Sequence, residues 1–361
     1  MADDDAVATE PTARRVDDVA TTEVGERPAP SSSQPDPIGK LLRGTYRLER
    51  FIGEGGMGRV YEASHERLSR RFAVKLLGGE HSRNDKTVSR MEREADITSR
   101  LDHAHIVDVI DFDYADDGRP FIVMELLKGE TLARRLQRER VISDLDHVEA
   151  IVEQVTSALA AAHGAGIVHR DLKPANIFLC RRASGEKLPF VKVMDFGISK
   201  DMHAAGHELT AAIAVLGTPP YMSPEQIQGR TAHADARADV FALGAVIFRM
   251  LGGAPPFRSD SKAESMFRQA TSGKPIETPA WTRVAEPIRR VVLRALSAKP
   301  DARQVDAAEL GRQMKAAIGE ARAGGAARAH GETQGDEAGD TLDVPPRTRR
   351  GARGPSQRVT R

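Results

Sequence analysis

Val168-His169-Arg170-Asp171-Leu172-Lys173-Pro174-Ala175-Asn176-Ile177-Phe178-Leu179 runs, after a polar turn, into Val191-Lys192-Val193-Met194-Asp195-Phe196-Gly197. Ile177–Leu179 and Val191–Met194 are short β-favouring runs. Arg181–Pro189 between them is rich in charge and turn formers, so the pattern predicts a hairpin. The start of one antiparallel strand faces the end of its partner, which brings Asn176 close to Asp195. An amide oxygen beside a carboxylate suits a hard cation such as Mg²⁺, with substrate phosphates supplying further oxygens. Asp171 is then placed to act as a base, and Lys173 to face a phosphate.

His169–Asn176 together with Asp195-Phe196-Gly197 resembles the catalytic and magnesium loops of protein kinases, and Lys173 is the residue typical of the Ser/Thr branch. The resemblance covers roughly Tyr46 to Ile318. It implies an α+β, protein-kinase-like bilobal fold: a β-rich N-lobe (46–127) with one main helix, a mainly helical C-lobe (128–318), and the nucleotide between them.

Working outward, Tyr46–Ile52 alternates as a strand and leads into Gly53-Glu54-Gly55-Gly56-Met57-Gly58-Arg59-Val60. Gly53, Gly55 and Gly58 fit a glycine-rich turn whose N–H groups can face phosphates. The chain continues as a strand rather than a helix, which argues against a dinucleotide fold. Lys75 sits amid apolar residues in Arg71–Leu77, an expensive place for an unpaired charge. By resemblance it holds the α and β phosphates. Val88, Met91 and Ala95 repeat at helical spacing within Asp85–Leu101, and Glu94 lies at the edge of that face, the carboxylate to pair with Lys75.

The resemblance further implies ATP contacts from Ile52 through Val60, Met124 at the back of the adenine pocket, and the backbone of Glu125 and Leu127 on the adenine edge. Asn176 and Asp195 would hold Mg²⁺. Gly217-Thr218-Pro219-Pro220-Tyr221-Met222-Ser223-Pro224-Glu225 resembles a Ser/Thr-kinase docking loop, with Ser223 where Ala is more familiar. Arg170 beside Asp171 goes with control by activation-loop phosphorylation, for which Thr210 is the first candidate and Thr218 the second. Asp239 is expected to cap the apolar helix it opens and to fix the catalytic-loop backbone. Glu225 and Arg303 are expected to pair. His103, His105 and His163 lack metal-ligand spacing partners and are expected to be structural.

Composition limits the rest. The 361 residues are 40% hydrophobic with net charge +1, so overall charge gives no reason to expect nucleic acid. The single cysteine, Cys180, excludes an intrachain disulfide and a zinc cluster. The acidic start lacks an apolar leader. The longest apolar stretch, Val240–Leu251, is shorter than the roughly 20 residues of a spanning helix. The expectation is a cytoplasmic chain without a transmembrane segment. Residues 1–43 and 319–361 are expected to be disordered tails. The first is acidic and rich in Pro and Ser; the second is rich in Ala, Gly and Arg.

The function implied is a serine/threonine protein kinase acting on Ser/Thr hydroxyls of proteins, with self-association for autophosphorylation in trans. The alternative from another class is a pseudokinase-type scaffold, which usually has lost the Lys or an Asp that this chain keeps. Aminoglycoside-type kinases lack the docking loop.

Overall fold

The computed structural model describes residues 37–55, 58–79, 81–181, 186–196, 219–228, 235–257 and 271–335. The unit running from Ile38 onward is built on two sheets. The larger is antiparallel, with strands β1 (Leu41–Leu42), β2 (Tyr46–Gly55), β3 (Gly58–His65), β4 (Arg71–Leu77), β5 (Val109–Tyr114) and β6 (Pro120–Glu125), ordered β1-β2-β3-β4-β6-β5. Strand alternation divides its residues. Leu48, Tyr61, Ala63, Phe72, Val74, Leu76, Phe121 and Val123 form one core. The other face carries Leu77 and Ile122, which pack against Met91 and Ala95 of α1 (Asp85–Ser99). Asn84 starts that helix, its side chain accepting from the N–H groups of Lys86 and Thr87.

The second sheet is small: β7 (Gly129–Thr131), β8 (Ile177–Cys180) and β9 (Phe190–Val193). The register Ile177↔Val193 is the hairpin expected from the sequence. Helices surround it: α2 (Leu132–Glu139), α3 (Leu145–Gly164), α4 (Pro224–Ile227), α5 (Ala236–Gly252), α6 (Glu286–Ala295) and α7 (Ala307–Gly335). α5 is buried almost all round, as its sequence requires. Arg249, the charge within that apolar run, is satisfied by donating to the carbonyls of Arg140 and Leu136 at the end of α2.

Three sequence expectations are corrected. Asp235, not Asp239, caps α5: its side chain accepts from Arg237 N–H, and the helix starts one turn earlier than the apolar run. The folded chain starts before Tyr46, because Gly39 N–H bonds Leu48 O at 2.7 Å and Leu48 N–H bonds Lys40 O at 3.0 Å. At the other end α7 continues past Ile318 to Gly335, so 319–335 is helix rather than disordered tail. Arg322 in that extension pairs with Asp146 and, at 2.7 Å, with Glu149 on α3. Gly311 lets the helices meet, since a Cβ there would lie 2.6 Å from Thr156 Oγ1. Among the described residues no helix is long and apolar enough to cross a membrane.

A buried ion pair braces the helical lobe. Arg303 is 1% exposed and reaches both oxygens of Glu225, at 2.7 and 2.9 Å. Its remaining donors bond the carbonyls of Ser297, Arg237 and Ala298, and its guanidinium lies 4.9 Å from the Phe241 ring centroid. Burial alone would raise the Glu225 carboxyl, but the guanidinium outweighs it and holds the group below its ordinary value.

Arg303→Met leaves Glu225 buried without its partner and should cost about 3–5 kcal/mol in denaturant unfolding. The native protein should show the linked pH dependence. The depressed Glu225 value adds stability above its unfolded value of about 4.3, lost as pH falls through the folded value. Urea midpoints measured between neutral and acid pH check both; an unchanged midpoint in Arg303→Met contradicts the bracing role.

Candidate active site

The cleft chemistry lies where the large sheet, α1 and the β8–β9 hairpin meet. β4 carries Lys75 opposite Val60 of β3 and Ile122 of β6. Its Nζ lies 2.8 Å from Asp195 Oδ1 and 3.5 Å from Glu94 Oε1. The expected Lys75–Glu94 pair is therefore shared with Asp195, and Asp195 is the nearer partner. Burial alone would lower Lys75, yet the two carboxylates outweigh it and hold the ammonium above its usual range. Lys75 in turn holds Asp195 below the usual carboxylate range. Glu94 is pushed up to about 7, because burial and the nearby Asp195 charge exceed the pull of Lys75.

The catalytic-loop residues converge from the other side. Lys173 Nζ is 2.8 Å from Asp171 Oδ2. Asn176 Nδ2 donates to Asp171 O at 2.9 Å and approaches Asp171 Oδ2 at 3.4 Å. Met194 N–H donates to Asn176 O at 2.9 Å, which sets Asn176 beside the residue preceding Asp195. Asp195 has φ +51°, a left-handed conformation that a non-glycine residue adopts at a cost of about 1–2 kcal/mol. Phe196 beyond it is fully buried, 4.7 Å from the His169 ring, while the Asp195 side chain stays 47% accessible.

These donors fit Mg²⁺. With Nδ2 turned to Asp171, Asn176 has its amide oxygen to offer, and Asp195 offers a carboxylate. Among the described residues no group of three or more His, Cys, Asp or Glu gathers to hold a metal, so a cation here needs oxygens from a bound phosphate.

The two described glycines of the turn's G-x-G-x-x-G ends differ in role. A Cβ on Gly58 would strike Leu76 O at 2.3 Å, so glycine is required for β3 to approach β4. Gly53 has nothing within 4 Å of its built Cβ, so the space beside it is open. Glu54 pairs loosely with Arg59 at 3.9 Å, and Ile52 is 37% exposed. Gly56 and Met57 at the tip lie outside the described residues, as do Gly197, Thr210 and Thr218. At the connection after β6, Glu125 N–H donates to Asp108 O at 3.1 Å.

Two supports went unread in the sequence. Lys192, a charge in an apolar strand like Lys75, is 8% exposed. It donates to Ile106 O at 2.9 Å and pairs with Glu125 Oε1 at 2.6 Å, joining β9, the end of β6 and the segment after α1. The signal that singled out Lys75 was present there as well. Gln226 donates to Arg170 O at 2.9 Å, and nothing in local spacing indicates it. His163 and His105 are structural as expected: His163 Nε2 meets Asp239 Oδ2 at 2.8 Å, and His105 Nδ1 meets Val191 O at 3.0 Å. Cys180 is half-buried, and burial pushes its thiol up to about 11, which keeps it protonated and inert.

A two-lobed fold whose cleft gathers a lysine, a carboxylate–amide pair and a loop aspartate defines the protein-kinase class. The protein kinase domain family matches residues 46–312, and the chain belongs to it. The serine/threonine-protein kinase pkn3 of Myxococcus xanthus is 40% identical over 289 residues, covering 79% of this chain and 52% of pkn3. PknB of Mycolicibacterium smegmatis is 37% identical over 272 residues, covering 74% of this chain and 42% of PknB. The chain thus spans about half the length of the curated relatives it matches. Among solved structures, the Mycobacterium tuberculosis PknI kinase domain (C20A mutant) is similar with TM-score 0.60 and 27% identity, covering 79% of this chain and 99% of that one.

The raised Glu94 value has a measurable consequence. Between its unfolded value of about 4.3 and its folded value of about 7, the native protein binds the extra proton, so stability falls as pH rises through that window. In nucleotide-free protein, Glu94→Gln should remove this fall. Thermal melts from pH 5 to pH 8 check it; identical slopes in the two proteins would count against the placement of Glu94.

Proposed function

We propose that the chain is a Ser/Thr protein kinase that transfers the γ-phosphoryl group of ATP to Ser/Thr hydroxyls of proteins. The observation that carries this reading is the convergence of Lys75, Asp195, Asn176, Asp171 and Lys173 in one cleft. Curated relatives across most of the chain are named serine/threonine-protein kinases. The neighbouring structure of Rad53, 24% identical, is described as a complex with AMP-PNP, a likeness of fold.

Phosphoryl transfer needs little covalent work from the protein; it is positioning and charge stabilisation. Lys75, fixed by two carboxylates, presents its ammonium to the α and β phosphates. Asp195 and Asn176 would hold Mg²⁺, which supplies charge neutralisation between phosphate oxygens when bound. Asp171 orients the acceptor hydroxyl and accepts its proton as the new P–O bond forms and the bond to the ADP oxygen breaks. Lys173, already 2.8 Å from Asp171, steadies the γ-phosphate. The glycine-rich turn from Ile52 to Val60 covers the phosphates. Met124 backs the adenine pocket, and the backbone of Glu125 and Leu127 meets the adenine edge. Activation proceeds by autophosphorylation at Thr210, with Thr218 secondary, between copies of the chain in the cytoplasm.

Asp171→Asn and Lys75→Met should each lower transfer from labelled ATP to an acceptor protein by at least a hundredfold, on the scale of lost positioning and electrostatic contributions. Asp171→Asn should still bind Mg·ATP in calorimetry. Near-normal transfer by Asp171→Asn removes the role given to it. Mass spectrometry of active protein should find phosphate on Thr210.

A further inference from the structure

We infer that Gln226 is a positioning residue for phosphoryl transfer, setting the backbone on which Asp171 stands. This rests on the reading of Asp171 as the proton acceptor. Arg170, immediately before Asp171, has φ +62°. That conformation is uncommon for a residue with a side chain and costs about 1–2 kcal/mol. Both faces of the Arg170 backbone are held. Its N–H donates to Asp239 Oδ1 at 2.8 Å, and its carbonyl accepts from Gln226 Nε2 at 2.9 Å. The first contact comes from α5 and the second from α4, so two successive helices, 69 and 56 residues along the chain from Arg170, hold the peptide units on either side of its Cα.

The orientation of the Gln226 amide is forced by chemistry. Ser223 N–H can only donate, and it meets Gln226 Oε1 at 3.1 Å. Ser223 Oγ donates to the same oxygen at 3.1 Å. The oxygen end is therefore fixed toward Ser223, and the amino end must face the Arg170 carbonyl. Gln226 is 5% exposed and Ser223 0%, so water does not compete for these groups. Ser223, which stands where Ala is more familiar, brings its hydroxyl to the same oxygen and within hydrogen-bond reach of Glu225. The link also runs from the segment following Thr218 straight to the catalytic loop, without using the Glu225–Arg303 pair beside it.

A role confined to starting α4 makes a different forecast from a grip on Arg170. Gln and Glu serve equally at the third position of a capped helix, and a negative charge there is favourable. A merely structural role therefore keeps the cap in Gln226→Glu, and the buried charge then costs stability of the whole lobe without singling out residues 169–172. A grip on the carbonyl does single them out, because a carboxylate sets an acceptor against an acceptor. Gln226→Met keeps the volume and removes both interactions.

The test uses the full chain at pH 8.5, with Mg·ATP and myelin basic protein as acceptor, and hydrogen–deuterium exchange over residues 169–172. Both variants are expected to lose about tenfold to a hundredfold in kcat, with KM for ATP within about twofold of the parent. Gln226→Glu should lose at least as much as Gln226→Met. Exchange at 169–172 should quicken in both, while exchange in α5 stays as in the parent. A Gln226→Glu protein with parental kcat overturns the inference, as does unaltered exchange at 169–172 in both variants. If the parent itself transfers no phosphate, the reading of the site fails, and the exchange comparison still decides whether Gln226 holds the loop.

Discussion

The Asp239 carboxylate, fully buried, is the interaction on which the cleft depends. It accepts from His169 N–H, Arg170 N–H and the His163 imidazole, each at 2.8 Å. A charge removed from water is tolerable only when it is fully hydrogen-bonded, and three donors meet that condition. The energy of those bonds is spent on geometry. They hold Arg170 in a left-handed conformation, and the chain then turns so that Asp171, Lys173 and Asn176 face one space. The donors come from the loop itself and from the end of α3, so α5, α3 and the loop are fixed together in one step.

The opposing wall is held by a different logic. Lys75 is shared between Glu94 on α1 and Asp195 on the hairpin, and neither partner belongs to its own strand. An ammonium between two carboxylates is an adjustable element, because it can lean toward either. Here it leans toward Asp195, at 2.8 Å against 3.5 Å. On the proposed function, phosphates and a cation at Asp195 would leave the same lysine with Glu94 as its partner, and the position of α1 would then bear on the chemistry. The segment after α1 is tied to the hairpin through Lys192, Ile106 and the Val193 backbone, which limits how far α1 can travel.

How far the sequence reveals this depends on whether a contact is local. Asp171, Lys173, Asn176 and Asp195 were legible because a loop and a hairpin place them by chain geometry alone. Lys75 was legible as a charge in an apolar strand, and Glu94 by helical spacing. Their sharing with Asp195 was not legible, because it depends on how the two lobes pack. Asp239 was misread as a cap because the helix begins at Asp235, within residues that carry no apolar period. The helix beyond Ile318 was hidden by Ala, Gly and charge, a composition that resembles a solvated tail until Arg322 meets Glu149. Lys192 carried the same signal as Lys75, but no partner for it could be named from spacing.

The supports of the site differ in kind. Asp239 and the Glu225–Arg303 pair are buried, multiply bonded and rigid, and they belong to the helical lobe. Lys75, Glu94 and Asp195 are linked by fewer bonds and span both lobes, and the charge of each shifts the others. Under the proposed function, a site arranged this way would keep Asp171 in a fixed place and let Lys75 change partners as nucleotide enters. The strain follows the same division. Arg170, on the rigid side, is gripped at its N–H by Asp239 and at its carbonyl by Gln226, whereas Asp195, also left-handed, has its side chain held by one lysine. Of these two left-handed residues, Arg170 is held on both sides of its backbone, whereas the Asp195 carboxylate keeps more freedom to adjust, the division that the proposed roles of Asp171 and Asp195 would call for.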